Sequence, residues 1–409
     1  MKKVVLFVEP LFYGVHLIKE AKIMGCFTVT IVSSPENMLE FKYSDYYDDY
    51  IVADTQNGEA IYKSILSSKY KNCVTALIPA TDYVTVATTK AAEMLGVMRN
   101  PYKAALCARN KDKAKIVFKQ KNIPTAHHCK VSNIEEAIAA TKRILYPVIL
   151  KPSNACGSQN VFFIKNNEDM IKAFKKIKRF DASYLDYKIS KEYLIEEFLV
   201  GPEFSVEIFV KNGQIVFADV TEKIITEPPY FVELFHIFPS SVMNDKREEI
   251  INVAHSALKA IGFNDGPAHV EVKYTSNGPQ IVEINGRPGG DNITSDLIYN
   301  AYGINVFREM VRLYLGEELE LNQKYQKASA VGYISANRKG VFKDLKGLSA
   351  LNENKNVVRY EIESTPSQLI DIPKNSDDRL GYIVVIEESS QKAKSTIQTL
   401  VQQIEVIYE

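Results

Sequence analysis

The chain has 409 residues, 46% hydrophobic and 24% charged, a composition that excludes intrinsic disorder and allows two or three domains around a sizeable core. Fifty basic residues balance fifty acidic ones, so charge gives no reason to expect nucleic acid or an anionic membrane as partner; a small molecule is the better expectation. No apolar stretch reaches the ~18 residues of a membrane span, and five cysteines scattered singly (Cys26, Cys73, Cys107, Cys129, Cys156) fit reduced thiols in a cytoplasm better than a disulfide framework or a zinc site.

Val4–Val8 reads as a buried strand; it breaks at Glu9 and Pro10, too soon for a secretory signal. A helical pattern over Val15–Met24 and a second strand at Thr28–Val32 follow. Cys73–Pro79 reads as a further strand, leading into a helical stretch from Asp82 to Leu95. Strands alternating with helices predict a parallel sheet covered on both faces, a Rossmann-like layout. The dinucleotide fingerprint is missing: EPLFYGVHL has one glycine where three would admit a pyrophosphate.

From about Asn110 the texture changes. The lysine-rich helix NKDKAKIVFKQKN leads to a break at Pro124. A strand at Pro147–Lys151, a small-residue loop, a strand at Val161–Ile164 and a helix over Glu168–Lys178 come next, followed by a strand ending in Glu196-Glu197-Phe198-Leu199. Phe204–Val210 and Ile215–Val220 flank Asn212-Gly213 and predict an antiparallel hairpin. The Pro- and aromatic-rich stretch Thr226–Ser241 reads as an ordered loop or lid, with Tyr230, Phe231, Phe235 and Phe238 as an apolar wall. A helix over Asp245–Ile261 precedes strands at His269–Lys273 and Gln280–Ile284; the remainder is mixed, with a final helix near Gln391–Gln403.

Three constellations carry chemistry. Lys151 ends an apolar strand and is followed by Ser153-Asn154-Ala155-Cys156-Gly157-Ser158, a loop whose backbone N–H groups can approach phosphate oxygens. A lysine beside a flexible turn explains the same residues equally well. In YLIEEFLVGPEFSVE, Glu196, Glu197 and Glu203 offer backbone groups to a base and a carboxylate to ribose, or else are solvated edge charges. In HVEVKYTSNGPQIVEINGRPGGD, Glu283, Asn285 and Arg287 share one strand face by alternation, and Glu271 joins them if the hairpin registers suitably. Two carboxylates and an amide oxygen are the hard donors that magnesium takes. Arg287 is placed to hold an anionic oxygen, and Gly289-Gly290 permits close approach to an anion. Glu233 and His236 are candidates for holding a substrate ammonium group, equally readable as a packed loop with a satisfied histidine; His269, two residues before Glu271, adjoins the site.

In this order, NKDKAKIVFKQKNIPT, YPVILKP, EEFLVGPEFSVE and VEINGRPGGD resemble the ATP-grasp superfamily, specifically carboxylate–amine ligases near the L-amino-acid ligases. The resemblance covers nearly the whole chain. It implies an α/β and α+β multidomain fold: a Rossmann-like domain (1–110), an ATP-grasp lid subdomain (111–190), a magnesium-bearing core (191–325) and a C-terminal mixed α/β extension (326–409). It also implies that Lys113 and Lys151 contact phosphates and that Ser153–Gln159, with Gly157 and Ser158, forms the flap over them. By the same resemblance Glu196, Phe198 and Leu199 receive adenine, Glu203 the ribose, and Glu271, Glu283 and Asn285 the metal. Arg287 and Lys151 then carry the catalysis. The flap departs from the family's pattern: it has Cys156 and Gln159 where glycine is common. The expected ligands are ATP and magnesium, two ions with manganese as an alternative; the expected substrates are a carboxylate and an amine, handled in the cytoplasm by a homodimer. Biotin-carboxylase-like and purine-pathway enzymes are the rival enzyme readings, and a non-catalytic nucleotide-binding regulatory module is the rival of another class.

Overall fold

In the computed structural model, which describes residues 2–409, the apolar run Val4–Val8 (β1) lies in a parallel sheet with Phe27–Val32 (β2), Asp49–Val52 (β3) and Val74–Pro79 (β4), ordered β3-β2-β1-β4. The sheet is parallel because helices Tyr13–Ile23 and Gly58–Ser67 occupy two of its connections and return the chain to its starting edge. Helix Tyr13–Ile23 buries Leu17, Ile18 and Ala21 in a cluster that also takes Phe307, Met310 and Val311 from helix Val306–Leu315. One apolar core therefore welds this domain to the rest.

Four antiparallel strands form the next sheet, ordered β5-β8-β6-β7: His128–Val131 (β5), Val148–Pro152 (β6), Phe162–Ile164 (β7) and Tyr193–Glu197 (β8). The boundary expected at residue 190 leaves β8 outside the lid, yet β8 is the strand that joins β5 to β6. The helix Lys111–Lys121, assigned to the lid by sequence, packs Ala114 and Phe118 into the core with helix Asn244–Ile261.

The largest sheet has eight strands, in the order β13-β12-β9-β10-β11-β14-β18-β16. They are Glu203–Lys211 (β9), Gln214–Ile225 (β10), Glu233–Phe238 (β11), Gly266–Thr275 (β12), Gly278–Asn285 (β13), Ala328–Ile334 (β14), Val357–Ile362 (β16) and Gly381–Glu387 (β18); Gly340–Lys346 (β15), Leu369–Ile370 (β17) and Glu405–Tyr408 (β19) form a separate small sheet. Within the stretch expected to be a loop, Glu233–Phe238 is an interior strand paired on both edges. The prolines that suggested a loop, Pro228, Pro229 and Pro239, flank the strand and remove no ladder hydrogen bond. Because β11 pairs with β14, the C-terminal residues extend the core sheet rather than standing apart. No helix of the described residues is long and apolar enough to cross a membrane.

Register decides which side chains meet. Glu271 lies directly opposite Glu283, and His269 opposite Asn285. Across the other edge of β12, Glu271 faces Ser205, Lys273 faces Glu203 and His269 faces Glu207; Glu203 in turn faces Lys223 on β10. Directly opposed residues share a face, so four strands present their charges to one side of the sheet.

A Cβ added at Gly14 would stand 1.9 Å from the Ala80 carbonyl oxygen, on rigid backbone after β4. Gly14→Ala is therefore expected to lower stability by about 1–3 kcal/mol through overpacking, measured as a shifted denaturant midpoint. An unchanged midpoint would mean that the helix does not rest on Ala80.

Candidate active site

Between the lid sheet and the charged face of the core sheet lies a cleft of about 310 Å³. At one end stand lysines. Lys111 and Lys115, one helical turn apart, are both buried and both line the cleft. Lys113, expected to touch phosphate, lies on the opposite side of the helix, exposed and outside the lining. The helical period puts Lys111, not Lys113, on the face that meets the cleft. Its Nζ donates to the Ala155 carbonyl at 2.7 Å and pairs with Glu283 at 3.0 Å. Ser153 is also displaced from its expected role: it is buried outside the lining, donates to the Asp112 carboxylate and accepts the Lys111 N–H at 2.9 Å. It ties the helix to the strand before the flap; Gly157 and Ser158 do line the cleft.

Strand alternation divides the Glu196-Glu197 pair. Glu197 is exposed, whereas Glu196 points inward, 2.6 Å from Lys151 and 3.1 Å from Lys115. Burial opposes ionisation of Glu196, yet the two ammonium groups hold its carboxyl at about 2. Lys151, with the shorter contact and further help from Glu283 and Glu271, stays above the ordinary lysine value despite burial; burial lowers Lys115. Glu196 thus anchors the two lysines while itself lining the cleft. Phe198 and Leu199 line the cleft, and Phe198 packs edge-on to Phe163 with centroids 4.8 Å apart. Phe231 joins this aromatic group at 6.2 Å from Phe198. Of the expected apolar wall only Phe231 lines the cleft: Tyr230 is 37% exposed outside it, Phe238 is buried in the core, and Phe235 packs against the C-terminal cluster.

In the middle, Glu271, Glu283 and Asn285 converge as the hairpin expectation required. Lys223, 2% exposed, bridges Glu233 at 2.8 Å, Glu271 at 3.1 Å and Glu203 at 3.2 Å. Burial works against its charge, but three carboxylates keep it protonated well above the usual lysine range. The donor set fits a divalent cation: Glu271 and Glu283 each already hold an ammonium group, Lys223 and Lys111, against their oxygens. His269 lines the cleft and rests on Glu207 at 3.0 Å, which outweighs burial and raises it to about 9. Gly289 lies behind this pair, outside the lining; a Cβ there would come within 2.8 Å of Glu207 Oε2, so close packing explains the glycine. Gly290 does line the cleft.

Arg287, also in the lining, donates from Nε to Asp82 of the N-terminal domain at 2.7 Å and from Nη1 to the Pro288 carbonyl, leaving Nη2 uncommitted among the described residues. Glu233, His236 and Asp291 each bring one atom to a cluster spanning less than 4.8 Å. Arg379 grips Asp291 through two hydrogen bonds, 2.9 and 3.0 Å, while lying 3.7 Å over the Tyr333 ring. Asp291 and Asn292 both have left-handed backbone, φ 50° and 62°, and Tyr333 Oη donates to the Asp291 carbonyl at 2.8 Å. His236 is fully buried, with Nε2 3.6 Å from Asp291 Oδ2, and neither ring nitrogen has a hydrogen-bond partner among the described residues. The sequence reading missed Lys111, Lys115, Lys223, Asp82, Asp291 and Arg379. The i, i+4 spacing of the first two was the available signal; the others needed the register and the domain contacts.

Residues 144–296 match the ATP-grasp domain model, and residues 332–409 match L-amino acid ligase C-terminal domain 2. The L-arginine-specific L-amino acid ligase of Bacillus subtilis is 22% identical over 86% of this chain and 85% of its own length. An uncharacterized protein of Sinorhizobium fredii, y4rH, is 26% identical over 72% of this chain, which spans 60% of that protein. The crystal structure of an L-amino acid ligase from Bacillus licheniformis superimposes with a TM-score of 0.82 at 18% identity, covering 100% of this chain and 99% of that one.

Because the folded value of Glu196, about 2, lies below its ordinary 4.5, its contribution to stability is present above about pH 4.5 and is lost as pH falls toward 2. Glu196→Gln leaves two buried ammonium groups without their counter-ion and should cost about 3–5 kcal/mol at neutral pH. Denaturant midpoints at a series of pH values check this: the gap between variant and wild type should narrow below pH 4.5, and equal midpoints at pH 7 would refute the anchoring role.

Proposed function

Since the chain belongs to the ATP-grasp ligases and carries the C-terminal domain of the L-amino acid ligases, we propose that it joins the carboxylate of an amino acid to an amine, spending ATP and releasing ADP and phosphate. The observation that carries this reading is a single cleft lined by Lys111, Lys115 and Lys151, by the Glu271–Glu283–Asn285 row, by Arg287 and by the Glu233–His236–Asp291 cluster. Phosphoryl transfer needs cations at the phosphate end, and amide formation needs a held carboxylate within reach of them.

The aromatic group around Phe198 takes the base and Glu203 the ribose, which sets the phosphates against Lys111 and Lys151. A carboxylate oxygen of the amino acid attacks the γ-phosphorus; the bond to the bridging oxygen breaks and ADP leaves. Lys111 and Lys151 offset the charge that spreads over the phosphoryl oxygens. Magnesium, as one ion or two and replaceable by manganese, would be held by Glu271, Glu283 and Asn285 and would supply further compensation of that charge. Glu233, His236 and Asp291 offer three acceptors to the three donors of the substrate ammonium group. Arg287, steadied by Asp82, holds the carboxylate oxygen while the amine displaces phosphate from the acyl phosphate. Five free cysteines suit a reaction carried out in the cytoplasm.

The test is phosphate release from ATP and magnesium against a panel of amino acids and amines, singly and in pairs. Release requiring one amino acid plus one amine, with ADP as co-product, supports the ligase; release driven by bicarbonate would move the enzyme to carboxylation, and failure to bind ATP would end the reading. Lys151→Met should lower kcat by about 100-fold or more. Asp291→Asn should raise KM for the amino acid by roughly 10-fold or more, through loss of one charge-assisted hydrogen bond, while KM for ATP stays near its wild-type value. An equal rise in both KM values would remove Asp291 from the ammonium seat.

A further inference from the structure

The flap Ser153–Gln159 carries Cys156 and Gln159 where glycine is expected, and both side chains have partners. Cys156 Sγ lies 3.0 Å from Tyr83 Oη, in the N-terminal domain. Tyr83 Oη lies 3.2 Å from Ser183 Oγ, on the hairpin between the lid helix Asn167–Ile177 and β8. Ser183 Oγ donates to Gln159 Oε1 at 3.1 Å, and Gln159 Nε2 donates to Asp377 of the C-terminal residues at 3.3 Å. Each hydroxyl can donate once here while accepting once. That leaves one arrangement in which every group is satisfied: Cys156 donates to Tyr83, Tyr83 to Ser183, and Ser183 to Gln159. Burial raises both the Cys156 thiol and the Tyr83 phenol, so both stay protonated as this chain of donors requires.

The hairpin that brings Ser183 is itself docked on the N-terminal domain. Tyr184 packs edge-on to Phe12 at 5.3 Å, and Gln56 donates to the Leu185 carbonyl. Tyr187 and Tyr83 both lie on the buried Arg109 guanidinium, at 4.6 and 5.5 Å. Meanwhile the backbone in and just after the flap is in a conformation that side chains disfavour: Ser158 inside it and Asn160 after it both have φ 56°. Such a backbone persists only where its surroundings over-determine it.

We infer that Cys156 and Gln159 are positioning residues which, through Tyr83, Ser183 and Asp377, latch the flap shut against three parts of the chain at once. The inference rests on the ligase reading for its consequence. With the flap closed, the acyl phosphate meets only the amine and yields amide and phosphate; with the flap loose, water attacks instead and returns the free carboxylate and phosphate. A flap built from glycines would close by backbone freedom. This one exchanges that freedom for side-chain contacts, and Asp82, one residue before Tyr83, holds Arg287, so the same turn sets both the flap and the arginine.

The experiment uses the full chain as Tyr83→Phe, Gln159→Ala, Ser183→Ala and Ser183→Thr. Hydrogen exchange over residues 153–160 is read first, without reference to any reaction. Faster exchange in the first three, with wild-type behaviour in Ser183→Thr, which keeps the hydroxyl, is the expected result; unchanged exchange in Tyr83→Phe and Gln159→Ala overturns the latch. The second reading is amide formed per phosphate released, which a merely structural residue would not move. It should fall about 2- to 10-fold in the loosened variants, the scale of one lost hydrogen bond. An unchanged ratio alongside faster exchange overturns the shielding role. If the wild type releases no phosphate with any substrate pair, the ligase reading fails while the exchange measurement still decides the latch.

Discussion

A buried lysine surrounded by three carboxylates holds the cleft together. Lys223 is 2% exposed and reaches Glu203, Glu233 and Glu271, each on a different strand of the large sheet. Without it, three acids would face one another across a space largely shielded from water, and like charges at low dielectric would drive either protonation or separation of the strands. With it, three carboxylates from three strands stand close together around one buried ammonium group. Glu196 does the complementary work at the lysine end, where one carboxylate keeps Lys115 and Lys151 side by side. The cleft is thus assembled from charges that would repel one another if each patch stood alone.

The second constraint is that no single domain contains the site. Lys151, Glu196 and the flap come from the lid sheet, the acid row from the core sheet, Asp82 from the N-terminal domain, and Arg379 and Asp377 from the C-terminal residues. The parts are held in place by continuous packing. The cluster around Leu17 and Phe307 spans the N-terminal domain and the core, and the pairing of β11 with β14 carries the core sheet into the C-terminal residues. The N-terminal, lid and C-terminal parts meet around the cleft at the contacts of Tyr83, Ser183 and Asp377 with the flap.

Two of the differences between sequence reading and structure come from periodicity. Lys111, Lys113 and Lys115 look alike as a string; on a helix only the first and last share the cleft's face. Glu196 and Glu197 look like a pair; on a strand they face opposite ways. Pro228, Pro229 and Pro239 made Thr226–Ser241 look like a loop, although the strand Glu233–Phe238 between them pairs with β10 on one edge and β14 on the other. Glycine was misread at Gly289, where the demand comes from Glu207 packed behind it and not from a ligand in front.

The sequence by itself determined the alternating N-terminal sheet, the Asn212-Gly213 hairpin, the acid–amide–arginine row Glu283–Asn285–Arg287 and the lysine-then-flap order at Lys151, because each is encoded in local spacing that strand or helix periodicity converts directly into a shared face. Only the tertiary structure decided that Glu271 stands opposite Glu283, that Lys223 neutralises three acids, that Asp82 steadies Arg287 and that Arg379 positions Asp291. Those contacts join residues as many as 205 positions apart. They depend on strand register and domain docking, which arise from the packing of the whole chain and leave no mark in the spacing of neighbours.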